Sequence, residues 1–265
     1  VGFYKQYNKG EQTVKLVRFI YENKVCQGVL SHDKINIIEG DMFGTYHVGD
    51  KTVSLDEARL LAPCQPSKIV CIGLNYYDHQ LEMNEFADDF PKIFIKPSTA
   101  VIAHGENIIR PQGVDRVDFE AEMAIVIGKT AKNIKKGTAK DYILGYTCMN
   151  DVTARNIQKQ DGQWTRAKSF DTFAPMGPVI STDVDPYSTK VELLLNGKVM
   201  QNSTTEKLIW NVDFLVEEIS KIMTLLPGDV ISTGTPSGCG AMEIGDKVEV
   251  VIENIGTLTN YFTGG

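Results

Sequence analysis

The strand-like runs that crowd the chain from Lys68 onward leave few architectures open to it. KIVCIGL, KIFIKP, VDFEAEMAIVIG, YILGYTCM, VELLL with KVMQ, DVIST, and KVEVVIEN with TLTNYF are short, rich in β-branched and aromatic residues, and bounded by turn residues. Asn196-Gly197 joins VELLL to KVMQ, and that dipeptide favours a type I′ hairpin because both residues tolerate positive φ. Helices are few. The clearest spans 211 to 223, where Val212, Leu215, Ile219 and Ile222 share one face before Pro227-Gly228-Asp229 stops it. Many strands with two or three helices predict a mostly β (α+β) body rather than a wound βαβ sheet.

Residues 1 to 62 read as a small α+β domain. VKLVRFIY and KVCQGVL alternate like strands, INIIEG is a third, and Ser54-Leu55-Asp56-Glu57 forms a capping box before the helix-like EARLLA. The Pro63-to-Pro66 segment punctuates the chain, so a second domain is expected over 66 to 265. At 42% hydrophobic and 23% charged, the 265 residues suit a folded globular protein. A net charge of -7 with no Lys/Arg run argues against nucleic-acid or anionic-membrane partners, because nothing offers the cationic patch they need. Five cysteines without CxxC or Cys/His spacing argue against a disulfide framework or structural zinc, and fit a reducing cytoplasm. No apolar run reaches bilayer-spanning length, and the first residues show no basic-then-apolar signal.

The chemistry concentrates first in VDFEAEMAIVIG. On a strand, Asp118, Glu120 and Glu122 leave on one face while Phe119, Ala121, Met123 and Ile125 leave on the other. Carboxylates two residues apart can grip one hard divalent ion. The bland alternative is a charged edge strand. Against it, Ala124 and Val126 continue the glutamate face, so the acids adjoin a buried stretch, which suits a pocket better than a solvated surface.

Other candidates are scattered. Asp151, in CMNDVTARNIQ, is either a helix N-cap or a third oxygen ligand, and Arg155 and Gln158 follow it on one helical face. His79 and Glu82 lie at i and i+3 in GLNYYDHQLEMNEF, where the carboxylate can orient the imidazole as a general base; a surface ion pair is the alternative. Lys168, in WTRAKSFDTFAPMGP, sits among aromatic and proline-rich sequence that can desolvate its amine. The loop at 232 to 238, STGTPSG, presents Thr235 and backbone N–H groups suited to a carboxylate. No Walker A, GxGxxG, GxSxG or HExxH pattern occurs.

Taken in order, KIVCIGLNYYDHQLE, KIFIKP, VDFEAEMAIVIGK, LGYTCMNDVTARNIQ, GQWTRAKSFDTFAPMGP, LNGKVMQ, LLPGDVISTGTPSG and IGDKVEV resemble the fumarylacetoacetate hydrolase family, in its small bacterial-type branch of acylpyruvate hydrolases and hydroxymuconate-type isomerases. The resemblance covers about residues 66 to 263. It implies rolled mixed β-sheets, a homodimer, and a mobile lid carrying His79 and Glu82. It further implies Mg²⁺, with Mn²⁺ or Ca²⁺ as substitutes, held by Glu120, Glu122 and Asp151. Lys168 and Gln158 match positions that contact the metal water or reacting oxygens, Thr235 a substrate-binding threonine, and Arg155 a basic position near the substrate. One departure stands out: many acylpyruvate hydrolases read GRNY where this chain has Gly73-Leu74-Asn75-Tyr76.

The activity expected from this likeness is hydrolysis of a C–C bond in a 2,4-dioxo acid. The cation would stabilise the departing enolate, and His79, oriented by Glu82, would activate water. Lys168 and Gln158 would meet the developing oxyanion. An isomerase or an oxaloacetate decarboxylase using the same enolate is the nearest rival, and a non-catalytic metal-binding module is the rival of another class.

Overall fold

The computed structural model describes residues 14–84 and 89–265. Residues 1–13, the opening of the stretch expected to be a small N-terminal domain, and 85–88, which overlap the end of the GLNYYDHQLEMNEF segment, lie outside the described residues.

Mixed β-sheets dominate the fold, as the density of strands predicts. The large sheet runs edge to edge through Tyr46–Ser54, Lys34–Gly40, Lys24–Ser31, Lys15–Tyr21, Ala174–Ser181, Ile143–Asn150, Ala121–Ile127, Val230–Ser232, Ile69–Gly73 and Lys92–Lys96. A second sheet orders Lys198–Thr204, Lys190–Leu195, Lys247–Ile252, Gly256–Gly264 and Asn107–Arg110. A small third sheet holds Thr153–Ala154, Val117–Phe119 and Gly240–Ala241. Most neighbours are antiparallel, but Val230–Ser232 runs parallel to Ile69–Gly73, and Gly256–Gly264 parallel to Asn107–Arg110. The α-helices are α1 (Tyr77–Met83), α2 (Arg155–Asp161), α3 (Thr165–Lys168) and α4 (Val212–Ile222).

Strand alternation builds two cores, one on each face of the large sheet. Met123, Ile125 and Ile127 join Leu193, Val250 and Leu215 in one. Ala124 and Val126 join Ile69, Cys71, Met149 and Met176 in the other, so the glutamate face does continue into a buried layer. Asn196 (φ 52°) and Gly197 (φ 80°) form the I′ turn between Leu195 and Lys198. Asn211 caps α4 by accepting from the Phe214 N–H at 3.0 Å, and Val212, Leu215, Val216 and Ile219 are buried. Ile222 differs from expectation: it is 53% exposed, because the helix ends there and the chain turns extended at Met223.

The N-terminal segment also differs in one element. Its expected helix is a single 3₁₀ turn, Leu55–Glu57, with no side-chain cap from Ser54, followed by the strand Arg59–Leu61. That strand pairs antiparallel with Lys15–Tyr21, and the Leu55 N–H is taken by the Asp33 carbonyl at 2.8 Å. Sheet pairing outweighs the helical tendency of so short a stretch. The N-terminal strands reach the rest of the fold through Lys15 and Leu16, which pair with Ser181 and Ile180.

The acidic strand is broken where it matters. Val117–Phe119 belongs to the small sheet and Ala121–Ile127 to the large one, with Glu120 between them outside both ladders. The Glu120 N–H donates to the Asn150 side chain (2.9 Å), and its carbonyl accepts from the Asp151 N–H (2.9 Å). Both backbone groups are thereby satisfied at the crossing from sheet to sheet.

Candidate active site

Backbone placement explains why three acids from two segments meet. Ala121–Ile127 pairs antiparallel with Ile143–Asn150, Ala121 opposite Asn150, so the residue after that strand, Asp151, lies beside the acids on its partner. Glu120, Glu122 and Asp151 are all buried, and one carboxylate oxygen from each lies within 4.8 Å of the others. Asp151 is not the N-cap of α2, whose cap position is Ala154. That removes the N-cap reading of its position in the sequence.

The three carboxylates are not treated alike. Lys168 Nζ donates to Glu120 Oε2 at 2.8 Å and to Asp151 Oδ2 at 2.6 Å. Lys96 pairs with Asp151 Oδ1 and donates to the Val152 carbonyl at 3.0 Å. Arg155 pairs with Glu120 Oε1, donates through Nε to Asp118 Oδ2 at 2.8 Å, and through Nη1 to Gln158 Oε1 at 2.6 Å. Glu122 receives only neutral donors on Oε2, the Ser232 hydroxyl at 2.5 Å and the Gly234 N–H at 2.8 Å. Gly234 adopts φ +97°, and a Cβ there would lie 2.8 Å from that of Asn75, so only glycine lets the loop bring its N–H onto Glu122.

These partners set the charges. Burial would raise the Glu120 carboxyl, but Lys168 and Arg155 outweigh it and hold it below the ordinary glutamate range. Burial pushes Glu122 the other way, up, and the charge of Asp151 adds to it. Burial would lower the Lys168 ammonium, yet Asp151 and Glu120 keep it above the ordinary lysine value, so it remains a charged donor. A cation among these acids would relieve the repulsion on Glu122, and an all-carboxylate donor set suits a hard divalent ion such as Mg²⁺ or Mn²⁺. The residues fit that group.

His79 faces the same cavity, about 260 Å³, whose walls include Leu74, Phe94, Trp164 and Thr235 as well as the triad. Its Nδ1 lies 3.0 Å from Glu82 Oε2 on α1. A carboxylate only accepts, so this bond puts a proton on Nδ1, and in the neutral ring Nε2 carries the lone pair. Glu82 stands behind His79 rather than in the cavity, and also accepts from the Gly238 N–H at 3.1 and 3.2 Å. Lys168 Nζ sits 5.0 Å over the Phe94 ring, which meets Trp164 edge-on at 5.2 Å. The Thr235 hydroxyl donates to the Ala121 carbonyl (2.9 Å) and accepts from Gln201 (2.8 Å).

All nine sequence candidates therefore gather here, eight on the cavity and Glu82 one layer out. Sequence reasoning assigned no role to Lys96, Asp118, Ser232 or Asn75. Asn75 is fully buried and ties the start of the α1 segment to the Trp210 and Thr233 carbonyls (3.0 and 2.7 Å). Its signal was its place in GLNYYDHQLE, beside the histidine.

A catalytic fold of rolled β-sheet around a buried acidic cluster defines the class. The fumarylacetoacetate (FAA) hydrolase C-terminal family matches residues 68–263, and an Rv2993c-like N-terminal family matches residues 14–63. The chain belongs to the fumarylacetoacetate hydrolase family. It is similar to the oxaloacetate tautomerase of Bacillus subtilis, 42% identical over 228 residues that cover 80% of this chain and 76% of that protein. Its fold is similar to the 2-hydroxyhepta-2,4-diene-1,7-dioate isomerase of Mycobacterium marinum, at TM-score 0.88 and 43% identity, covering 95% of this chain and 98% of that one. It is also similar to the maleylpyruvate hydrolase of Sphingobium sp. SYK-6 in complex with manganese(II) and pyruvate, at TM-score 0.80 and 27% identity, covering 95% and 99%. No helix among the described residues is long and apolar enough to cross a membrane.

Proposed function

We propose that the protein is a divalent-cation-dependent enzyme that moves a proton beside the 2-oxo group of a short 2-oxo dicarboxylic acid, interconverting keto and enol forms. One observation carries this reading: a carboxylate triad and a histidine with its Nδ1 proton held by Glu82 converge on one small cavity. Glu120, Glu122 and Asp151 would hold the cation, whose chemistry when bound is to polarise the 2-oxo oxygen and acidify the neighbouring C–H.

The rest belongs to side chains. His79 Nε2 takes the proton from C3, and Glu82 stabilises the imidazolium that results. Lys168, kept charged by two carboxylates, donates to the oxygen on which negative charge collects, a prearranged contribution of about 3 to 4 kcal/mol. Gln158, whose Oε1 is held by Arg155, turns its NH₂ group to the substrate carboxylate, and Thr235 lines the wall beside it. Phe94 and Trp164 wall the site with rings and limit the entry of water. A cavity of about 260 Å³ lies below the usual range for drug-sized ligands and suits a small acid.

Two facts favour proton transfer over C–C hydrolysis. The relatives named for a tautomerase and an isomerase share 42% and 43% identity with this chain, against 33% and 27% for two named for hydrolases, from Exiguobacterium antarcticum and Sphingobium sp. SYK-6. Leu74 lines the cavity at the motif position where many acylpyruvate hydrolases carry arginine, so the side-chain donor those hydrolases have at that point is missing. The second reading, hydrolysis of a 2,4-dioxo acid, is supported by the shared fold with the manganese–pyruvate complex of the maleylpyruvate hydrolase, and needs His79 to take its proton from water instead. Decarboxylation of oxaloacetate would proceed through the same enolate.

Proton NMR on oxaloacetate, hydroxymuconates and 2,4-dioxo acids with MgCl₂ or MnCl₂ separates the readings. One product, with accelerated deuterium exchange at C3, is expected. Two fragments would establish the hydrolase, loss of CO₂ the decarboxylase, and no acceleration with either metal the non-catalytic module. The reading extends to a homodimer, which light scattering tests.

A further inference from the structure

Beside the carboxylate triad lies a second group of ligating side chains with different donor chemistry. His79, Glu82 and Cys239 each present one ligand atom within 4.8 Å of the other two. An imidazole nitrogen, a carboxylate oxygen and a thiol sulfur suit a borderline-soft cation, whereas the all-oxygen triad suits a hard one. Two ligands come from α1 at i and i+3, and the third from the loop that α1 already touches through the Gly238 N–H and Glu82.

Distances and access both permit coordination. His79 Nδ1 and Glu82 Oε2 stand 3.0 Å apart, near the edge of about 3.3 Å for a tetrahedron with bonds of about 2.0 to 2.1 Å. Glu82 is 40% exposed, which gives an ion a way in. Arg155 is the nearby opposing charge, its Nη2 lying 3.9 Å from Cys239 Sγ, but Asp118 and Glu120 already neutralise it. Burial, then the Glu120 charge, push the Cys239 thiol up to about 12, so it stays protonated until a metal displaces the proton.

We propose that His79, Glu82 and Cys239 form a second, inhibitory cation site for Zn²⁺ and its thiophilic congeners, in which the ion ties α1 to the loop before the Gly240–Ala241 strand. On binding, a metal–sulfur bond forms, the S–H bond breaks and the proton passes to solvent. Coordination at either ring nitrogen disables the base: at Nε2 the lone pair is taken, and at Nδ1 the proton is left on Nε2. The site stands on geometry alone, whereas the inhibition rests on the proposed role of His79.

The test titrates the protein, saturated with Mg²⁺ to satisfy the triad, with Cd²⁺ while recording the ultraviolet charge-transfer band of a cadmium thiolate. The band is expected to saturate at one ion per chain, to vanish in Cys239→Ser, and to persist in Cys26→Ser, which removes the other half-buried thiol. With Mg²⁺ present, Zn²⁺ should inhibit turnover of oxaloacetate, and the half-inhibitory concentration should rise more than about a hundredfold in Cys239→Ser, beyond what loss of an outer-shell partner costs. Absence of the band, or its survival in Cys239→Ser, overturns the site. A band that saturates without inhibition overturns the inhibitory role, and traces that failure to His79 rather than to the ligands.

Discussion

Replacing Glu122 with glutamine tests the metal centre through stability instead of turnover. Glu122 is the one member of the triad with no cationic partner, and both of its donors, Ser232 and Gly234, bind the same oxygen. An amide oxygen can keep those two bonds while the NH₂ group replaces the other carboxylate oxygen, which removes the negative charge from among the acids. Like charges at the 4.8 Å limit of the cluster repel by about 3.5 kcal/mol at an effective dielectric near 20, and the lysines on Asp151 reduce this to about 1 to 2 kcal/mol. The pH sign follows from the raised carboxyl. Below the ordinary glutamate value both states are protonated and nothing is lost; as pH rises through the elevated folded value, the wild-type protein must either ionise Glu122 among acids or keep a proton that the unfolded chain would release. In EDTA, Glu122→Gln should therefore melt about 2 to 8 °C above wild type at alkaline pH, with the gap closing toward acid. With metal at about a hundredfold above its Kd, wild type should gain about 2.7 kcal/mol, and the variant should gain far less because it has lost a charged ligand. Thermal melts across pH, with EDTA or MnCl₂, read both effects. An EDTA-treated variant that melts below wild type at every pH, or one that Mn²⁺ stabilises as strongly as wild type, refutes the reasoning.

Three further outcomes follow from the same contacts. Glu82→Gln should lower kcat by about 10² or more while leaving KM and the metal-induced rise in Tm nearly intact, since Glu82 orients His79 without lining the cavity; an unchanged kcat removes Glu82 from the chemistry. Lys168→Met should cost about 10² to 10³ in kcat and also destabilise the EDTA-treated protein, because it strips a shared donor from Glu120 and Asp151; full activity in a folded variant would leave Lys168 purely structural. Burial would raise the Asp229 carboxyl, but Lys68, Ser67 and the Leu226 N–H outweigh it and hold it below the ordinary aspartate range. The stability it contributes is present above that range and lost as pH falls through the depressed value. Asp229→Asn should thus flatten the acid limb of a stability–pH curve and leave turnover unchanged; an acid limb identical to wild type would contradict it.

What could be read from the chain depended on how local the cause was. Glu120 with Glu122, and His79 with Glu82, were legible because a two-residue strand period and an i, i+3 helical spacing place each pair without reference to the rest of the molecule. Asp151 was only half legible: its position at a strand end allowed a cap or a ligand, and its place beside the two glutamates comes from the register that sets Ala121 opposite Asn150. Arg155 was placed near the right acid for an incomplete reason. It grips Asp118 and Glu120 because Val117–Phe119 pairs with Thr153–Ala154, a contact across 35 residues that no local pattern encodes. Lys96 was illegible, since a lysine at a strand end reads as a solvated flank until the strand is laid beside Ile69–Gly73 with its ammonium against Asp151. The break at Glu120 left no trace either, because alternation continues through it; the cause is the Asn150 side chain, which captures the Glu120 N–H and lets the strand leave one sheet for the next. That crossing carries a functional consequence. An uninterrupted ladder would commit the Glu120 N–H and C=O to a neighbouring strand and hold its carboxylate in a flat row with Asp118 and Glu122, whereas here the same backbone groups bond to Asn150 and Asp151, and the carboxylate closes on Asp151 through Lys168.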